Sequence, residues 1–462
     1  MQENYTREYR QSLTLGLVKV VQELFPSEHF RIAYSILDGV YCELINSILS
    51  IREVDHIEKM LKLWVDKNQP IYCTLKEDNL FHCQTEDISI PFLFSTLNSS
   101  GLLKHFRLIH YPPGFILQFP GLNAPTHLSH YVPPEKLSAT YLESQRWLEN
   151  VGINDVRDVN SHIENQKGQD LICLAEALHE KKISLIADRI YNQRRNVKIV
   201  LISGPSSSGK TTFTQRLSTQ LKVNGLRPVS LSLDNYFCAR EETPRDQFGQ
   251  LDFEAIEALD LALLDSHIKT LVKDGEVETP IYDFVSGRRL PSGKWMRLGK
   301  DEILLIEGIH ALNPHLLPSV DRTSLFKIYV SSLFLLNIDS YNRVPTTDVR
   351  QVRRLVRDDK FRGISPEKTL TQWTSVRRGE NTNIFPYQEE ADVMFNSSLL
   401  YELNALRSYV EPLLVSIKPD HPNYRTAEQL LRLLSFFTPL DTTRVPFNSI
   451  LREFIGESIP QG

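Results

Sequence analysis

Residues 204–212 read GPSSSGKTT, with the apolar run VKIVLIS before them and the helix-like TTFTQRLSTQLKV overlapping their end. This is G-x-x-x-x-G-K-[ST], a strand–loop–helix unit whose loop wraps phosphate. Glycines let backbone N–H groups curl around the anion, the lysine supplies a point charge, and the threonine offers a hydroxyl to a cation. The following helix adds its positive N-terminus. Gly204, Ser206, Ser207, Ser208, Gly209, Lys210, Thr211 and Thr212 are therefore expected to hold the phosphates of a nucleotide. A flexible glycine-serine turn is the bland alternative, and the flanking strand and helix argue against it.

Such a loop needs a parallel sheet behind it. Further apolar strands are expected at PVSLSL, EILLIEG, LFKIYVS and ADVMFN, with helical stretches between them. Alternation of this kind predicts a five-stranded parallel sheet covered on both faces, an α/β fold. At 462 residues the chain is too long for one ordinary domain. Residues 1–165 read as an α+β front domain, with an amphipathic first helix and strands at FRIAYSI, PIYCTL, FRLIHY and GFILQF. Residues 166–420 carry the phosphate loop, and 421–462 form a helical tail.

The net charge is −5, so no global basic field invites nucleic acid or an anionic membrane. An anion site must then be a local concentration of arginine. No membrane span or secretory leader is legible at the start, and a cytoplasmic protein is expected. The five cysteines form no C-x-x-C pair, and reduced thiols are the simplest expectation.

Two carboxylates stand at strand ends. Glu307 closes EILLIEG and could hold Mg²⁺. Asp234 follows PVSLSL at the carboxyl end of a strand, where ligands of open α/β sheets bind. It could accept the proton of an attacking hydroxyl. Arg350, Arg353, Arg354 and Arg357 share one helical face and read as an arginine lid for a transferring phosphoryl group. No N-K-x-D guanine reader and no L-S-G-G-Q signature are present, which leaves a small-molecule kinase.

From about 197 to 397 the ordered motifs GPSSSGKTT, SLDNYF, DFEAIEALD, PIYDFVSGRR, LLIEGIHAL, DVRQVRRLVRD and ADVMFN resemble the uridine kinase and phosphoribulokinase family. The resemblance implies ATP or GTP as donor, Mg²⁺ held at Thr211 and Glu307, and a nucleoside 5′-hydroxyl as acceptor. It implies Asp234 as base, with Lys210, Arg354 and Arg357 as the other catalytic groups. Acceptor contacts would come from Asp234, Tyr236, Glu254, Tyr282, Phe284 and Arg362. Gly287 stands where uridine–cytidine kinases carry a pyrimidine-reading histidine, and Ile364 replaces a lid arginine. Other acceptors therefore stay open: a sugar phosphate, pantothenate, or none, in an RNA-associated regulatory NTPase. In the front domain, SLTLGLVKVVQELFP followed by FRIAYSILDGVYCEL resembles the editing-type accessory domain of threonyl-tRNA synthetases. Gln11 and Leu15 stand where that domain's H-x-x-x-H histidines belong, so shape without editing chemistry is implied. The expected partner is a small-molecule acceptor; a homo-oligomer is open, and neither membrane nor nucleic acid is expected.

Overall fold

The structure, a computed structural model, describes residues 2–36, 38–121, 127–247, 249–283, 286–299 and 301–457. It divides into two compact units that are each discontinuous in sequence. The first comprises Met1–Asn165, Phe334–Asp348 and Arg425–Thr438; the second comprises Gln166–Leu333, Val349–Tyr424 and Pro439–Gly462.

The first unit opens with helix α1 (Gln2–Leu24), then strands β1 (Phe30–Ile36) and β2 (Gly39–Leu44) and helix α2 (Ile51–Asp66). Next come β3 (Tyr72–Leu75), β4 (Phe81–Thr85), β5 (Ile88–Phe92), β6 (Arg107–Tyr111) and β7 (Gly114–Gln118), then α3 (Glu135–Asn150) and α4 (Val156–Glu164). One antiparallel sheet has the order β1-β2-β7-β6 and a smaller one the order β3-β4-β5. Ser50 starts α2 through a capping box, its hydroxyl accepting from Glu53 N while the Glu53 carboxylate accepts from Ser50 N. Val54, Ile57, Leu61 and Trp64 recur at helical spacing and are buried. Gly16 admits Trp64, since a Cβ there would lie 2.2 Å from the indole. The reduced-thiol expectation fails at one pair: Cys73 and Cys83 face each other across β3 and β4 and are joined as a disulfide. Leu15 is fully buried in the core around α1. A side chain at that place serves packing.

Late segments complete this unit. Ile32 N donates to Ser340 O (2.9 Å), and Leu93 N donates to Asn342 Oδ1 (2.8 Å). The Asn160 amide donates to Phe436 O (2.7 Å). Helix Tyr424–Ser435 buries Leu430, Leu433 and Leu434, and Phe437 follows. Four such apolar side chains stabilise by about 6–12 kcal/mol, comparable with the whole stability of a domain. A fragment ending at Asn165 is therefore expected to lose cooperative unfolding. Circular-dichroism melts of that fragment beside the full chain check this, and a sharp native-like melt of the fragment would refute it.

The second unit begins with α5 (Gly168–Asn192), β8 (Ile199–Ser203), α6 (Lys210–Val223), β9 (Arg227–Ser232) and α7 (Leu261–Asp274). Short strands follow: β10 (Glu276–Thr279), β11 (Tyr282–Asp283), β12 (Arg288–Arg289) and β13 (Lys294–Arg297). Then come β14 (Glu302–Glu307), β15 (Leu325–Ser331), α8 (Thr346–Arg362), α9 (Pro366–Asn383), β16 (Val393–Asn396) and α10 (Glu402–Val415). The sheet has five strands in the order β16-β15-β8-β14-β9, every pairing parallel. The α/β expectation thus holds strand for strand. Central β8 reads IVLIS and is buried at all five positions, as a strand covered on both faces must be.

Candidate active site

The phosphate loop leaves β8 at the carboxyl edge of the sheet and turns into α6. Gly204 is required by space, because a Cβ would fall 2.0 Å from Val330 O on neighbouring β15. Gly209 sits at φ +84° and Ser207 at φ +59°, so the loop holds left-handed backbone twice before the helix starts. The hydroxyls of Ser207 and Ser208 are buried without a hydrogen-bond partner. Orphan donors in a loop of this shape fit an anion. Lys210 Nζ donates to Pro205 O (3.2 Å). Burial lowers the Lys210 pKa, and the nearby carboxylates of Glu307, Asp234 and Glu453 oppose that shift.

Asp234 lies in the 3-10 turn Leu233–Tyr236 directly after β9, its N–H donating to Ser232 Oγ (3.3 Å). Glu307 ends the adjacent β14 and accepts from Ser232 Oγ (3.3 Å). Thr211, Ser232, Asp234 and Glu307 line one cleft of about 750 Å³ that reaches Thr279, Trp295 and Arg297. Burial, and then the neighbouring charge of Asp234, push the Glu307 carboxyl up to about 7, against the pull of Lys210. A hydroxyl and two crowded carboxylates are hard oxygen donors whose mutual repulsion a divalent cation would relieve.

The other expected acceptor residues are spread around this edge. Tyr236 lines the cleft, but its hydroxyl meets His267 Nδ1 (3.1 Å) and the side chain is fully buried. Tyr282 is buried beside Phe237, ring centroids 5.7 Å apart. Phe284 lies outside the described residues. Glu254 is partly exposed, with Oε2 buried and unpartnered. Burial first, then the charge of Glu380, raise its carboxyl to about 7, while Arg354 and Lys210 oppose the shift. Gly287 has φ +71°, and a Cβ there would lie 2.7 Å from Arg240 Nε. A guanidinium, not an imidazole, occupies that direction.

The arginines of α8 do not form one open face. Arg350 and Arg353 are fully buried. Arg350 Nε donates to Ser206 O (3.0 Å) and its Nη2 pairs with Glu380. Arg353 pairs with Glu402 and donates to Ser397 O (2.9 Å) and, more weakly, Ser207 O (3.4 Å). These two clamp the outside of the phosphate loop, so the helical face reads as a lid only in part. Arg354 Nη1 reaches Ser206 Oγ (2.9 Å), and Arg362 is exposed beside Asp358. Arg357 lies by Asp358 (3.5 Å); burial and then the charge of Arg362 pull it down to about 10.

Sequence reading missed the tail's contribution. Glu453, on the short helix Arg452–Ile455, accepts from Thr212 N (3.2 Å) and Thr212 Oγ1 (3.1 Å). Ile450 packs over Gly209, 2.5 Å from where a Cβ would stand. A carboxylate thus caps the N-terminus of α6, the place a phosphate would take.

Residues 199–400 match the phosphoribulokinase / uridine kinase family. A uridine kinase of Staphylococcus haemolyticus is 30% identical over 201 residues, 43% of this chain and 87% of that protein. The chain belongs to the phosphoribulokinase / uridine kinase family. It is an ATP-dependent kinase. A uridine kinase of Borreliella burgdorferi is 29% identical to this kinase over 215 residues, 45% of the chain and 92% of the relative. Among solved structures, the D-glycerate 3-kinase of Cryptococcus neoformans covers 45% of the chain and 89% of its own, at 14% identity and a TM-score of 0.32. No helix among the described residues is long and apolar enough to cross a membrane.

Proposed function

We propose that this kinase transfers the γ-phosphoryl group of ATP to the 5′-hydroxyl of uridine, cytidine or a related nucleoside. The observation that carries the reading is the cleft in which Asp234 and Glu307, from adjacent strand ends, meet Thr211 of the phosphate loop. Asp234 takes the proton of the attacking hydroxyl. Lys210, Arg354 and Arg357 face the charge that spreads over the transferring group. Glu254 accepts hydrogen bonds from acceptor hydroxyls, and Tyr282 packs against the base. Thr211 and Glu307 would hold Mg²⁺, which supplies charge neutralisation on the phosphates. Closure of the loop around Arg362 would exclude water.

A panel of nucleosides, with ADP release and product identity measured together, tests the reading. ADP release that no nucleoside stimulates would overturn it. The contact between Gly287 and Arg240 favours one second reading, a related kinase with a different alcohol as acceptor. The first unit, without paired imidazoles at Gln11 and Leu15, is proposed as a non-editing accessory domain of the synthetase-like kind. A cytoplasmic location is proposed with it.

The same reading gives Glu453 a measurable effect. A triphosphate that uses Thr212 N–H must displace this carboxylate first. Glu453→Gln keeps the size and removes the charge, so nucleotide should bind about threefold to tenfold more tightly. Calorimetric titration of ADP into both proteins checks this; unchanged or weaker binding would exclude the competition.

A further inference from the structure

We infer that Glu380, carried beside Gly379 on α9, is a positioning residue that ties the phosphate loop to the acceptor carboxylate Glu254. The inference rests on the kinase reading given above. Ser206 N donates to Glu380 Oε1 (3.1 Å), and Arg350, paired with Glu380, donates to Ser206 O. Both backbone groups of one loop residue are thus held by a single buried ion pair. Arg377 Nη1 donates to Glu380 Oε2 (3.2 Å), so both carboxylate oxygens are engaged.

The preceding residue sets the other end. A Cβ on Gly379 would stand 2.1 Å from Glu254 Cβ and 2.8 Å from its Cγ. Glycine in a helix interior is unfavourable, and here the close approach of Glu254 requires it. Asn383, one turn on, donates through Nδ2 to Glu254 O (2.9 Å). Three residues of one helix therefore fix the acceptor acid and the phosphate loop in a single register. α-Helical geometry is stiff, so the two substrate sites keep their spacing without direct contact.

Electrostatics follow the same line. Glu380 and Asp252 press protons onto Glu254, while Arg354 and Lys210 draw them off. With its carboxyl raised to about 7, Glu254 changes charge in the neutral range. The ionised form accepts hydrogen bonds from the acceptor's hydroxyls, so acceptor use should fall on the acid side of about pH 7. Removing the Glu380 charge lowers the pKa of Glu254, so that acid limb must move to lower pH.

The experiment compares wild type with E380Q and G379A, using the alcohol that wild type phosphorylates. E380Q should shift the acid limb of kcat/KM for the acceptor downward by about one pH unit. G379A favours the helix but pushes on Glu254, so it should raise the acceptor KM roughly tenfold or more and, through Glu380, raise the nucleotide KM with it. The carboxyl ¹³C resonance of Glu254, assigned by its loss in E254Q, reports the same titration without any acceptor. A lower titration midpoint of that resonance in E380Q supports the tie even if no nucleoside is a substrate. An unmoved limb and titration midpoint in E380Q, or an acceptor KM that rises alone in G379A, would overturn it.

Discussion

Asp234→Asn should lower acceptor-dependent phosphoryl transfer by roughly 10²- to 10⁴-fold, the usual scale for loss of a general base. The substitution keeps shape and removes the proton acceptor. Asp234 sits at the turn after β9, with its N–H held by Ser232 Oγ, and that backbone contact is untouched by the change. Nucleotide affinity should change little, because in the proposed function the loop around Lys210 holds the phosphates. Proton removal is late in a loose transition state, which favours the lower end of the range. Acceptor-dependent ADP release and nucleotide affinity, measured on one preparation, separate the outcomes. Equal losses in both would make Asp234 a metal or structural residue. Turnover within a few-fold of wild type would put the base elsewhere.

Lys210→Ala should abolish nearly all transfer, with kcat falling by roughly 10²-fold or more. The charge acts where the transition state is most negative. Burial lowers the pKa of Lys210, and Glu307, Asp234 and Glu453 oppose that loss of charge. Removing the ammonium leaves those carboxylates repelling one another and the phosphates. The fold should survive, because among the described residues the Lys210 side chain makes one hydrogen bond, to Pro205 O. A circular-dichroism melt beside single-turnover kinetics checks both halves. Near-normal turnover in a folded variant would remove the phosphate-loop assignment.

The catalytic sheet was legible because each of its strands is a local apolar run. VKIVLIS, PVSLSL, EILLIEG, LFKIYVS and ADVMFN fell on β8, β9, β14, β15 and β16. The placement of Asp234 and Glu307 in one cleft was legible for a related reason: strand ends in a parallel sheet share an edge. Strands β4 and β5 were not, being short and only partly buried, without a long run or clear alternation. Periodicity put four arginines on one face of α8 but said nothing of what covers it, and Glu380 and Glu402 cover Arg350 and Arg353. Glu453 lies 241 residues from Thr212, a separation at which no local pattern carries a signal. The split of each unit into three segments is likewise a property of the folded chain.

That interleaving sets an order of completion during synthesis. Residues 2–165 are made long before 425–438, the last stretch of the same compact unit. The front unit must therefore wait, partly unsatisfied, while nearly all of the catalytic unit is translated. The catalytic unit closes later still, when 439–457 bring Ile450 and Glu453 to the phosphate loop. A ribosome that stops at residue 424 releases a chain in which neither unit is whole.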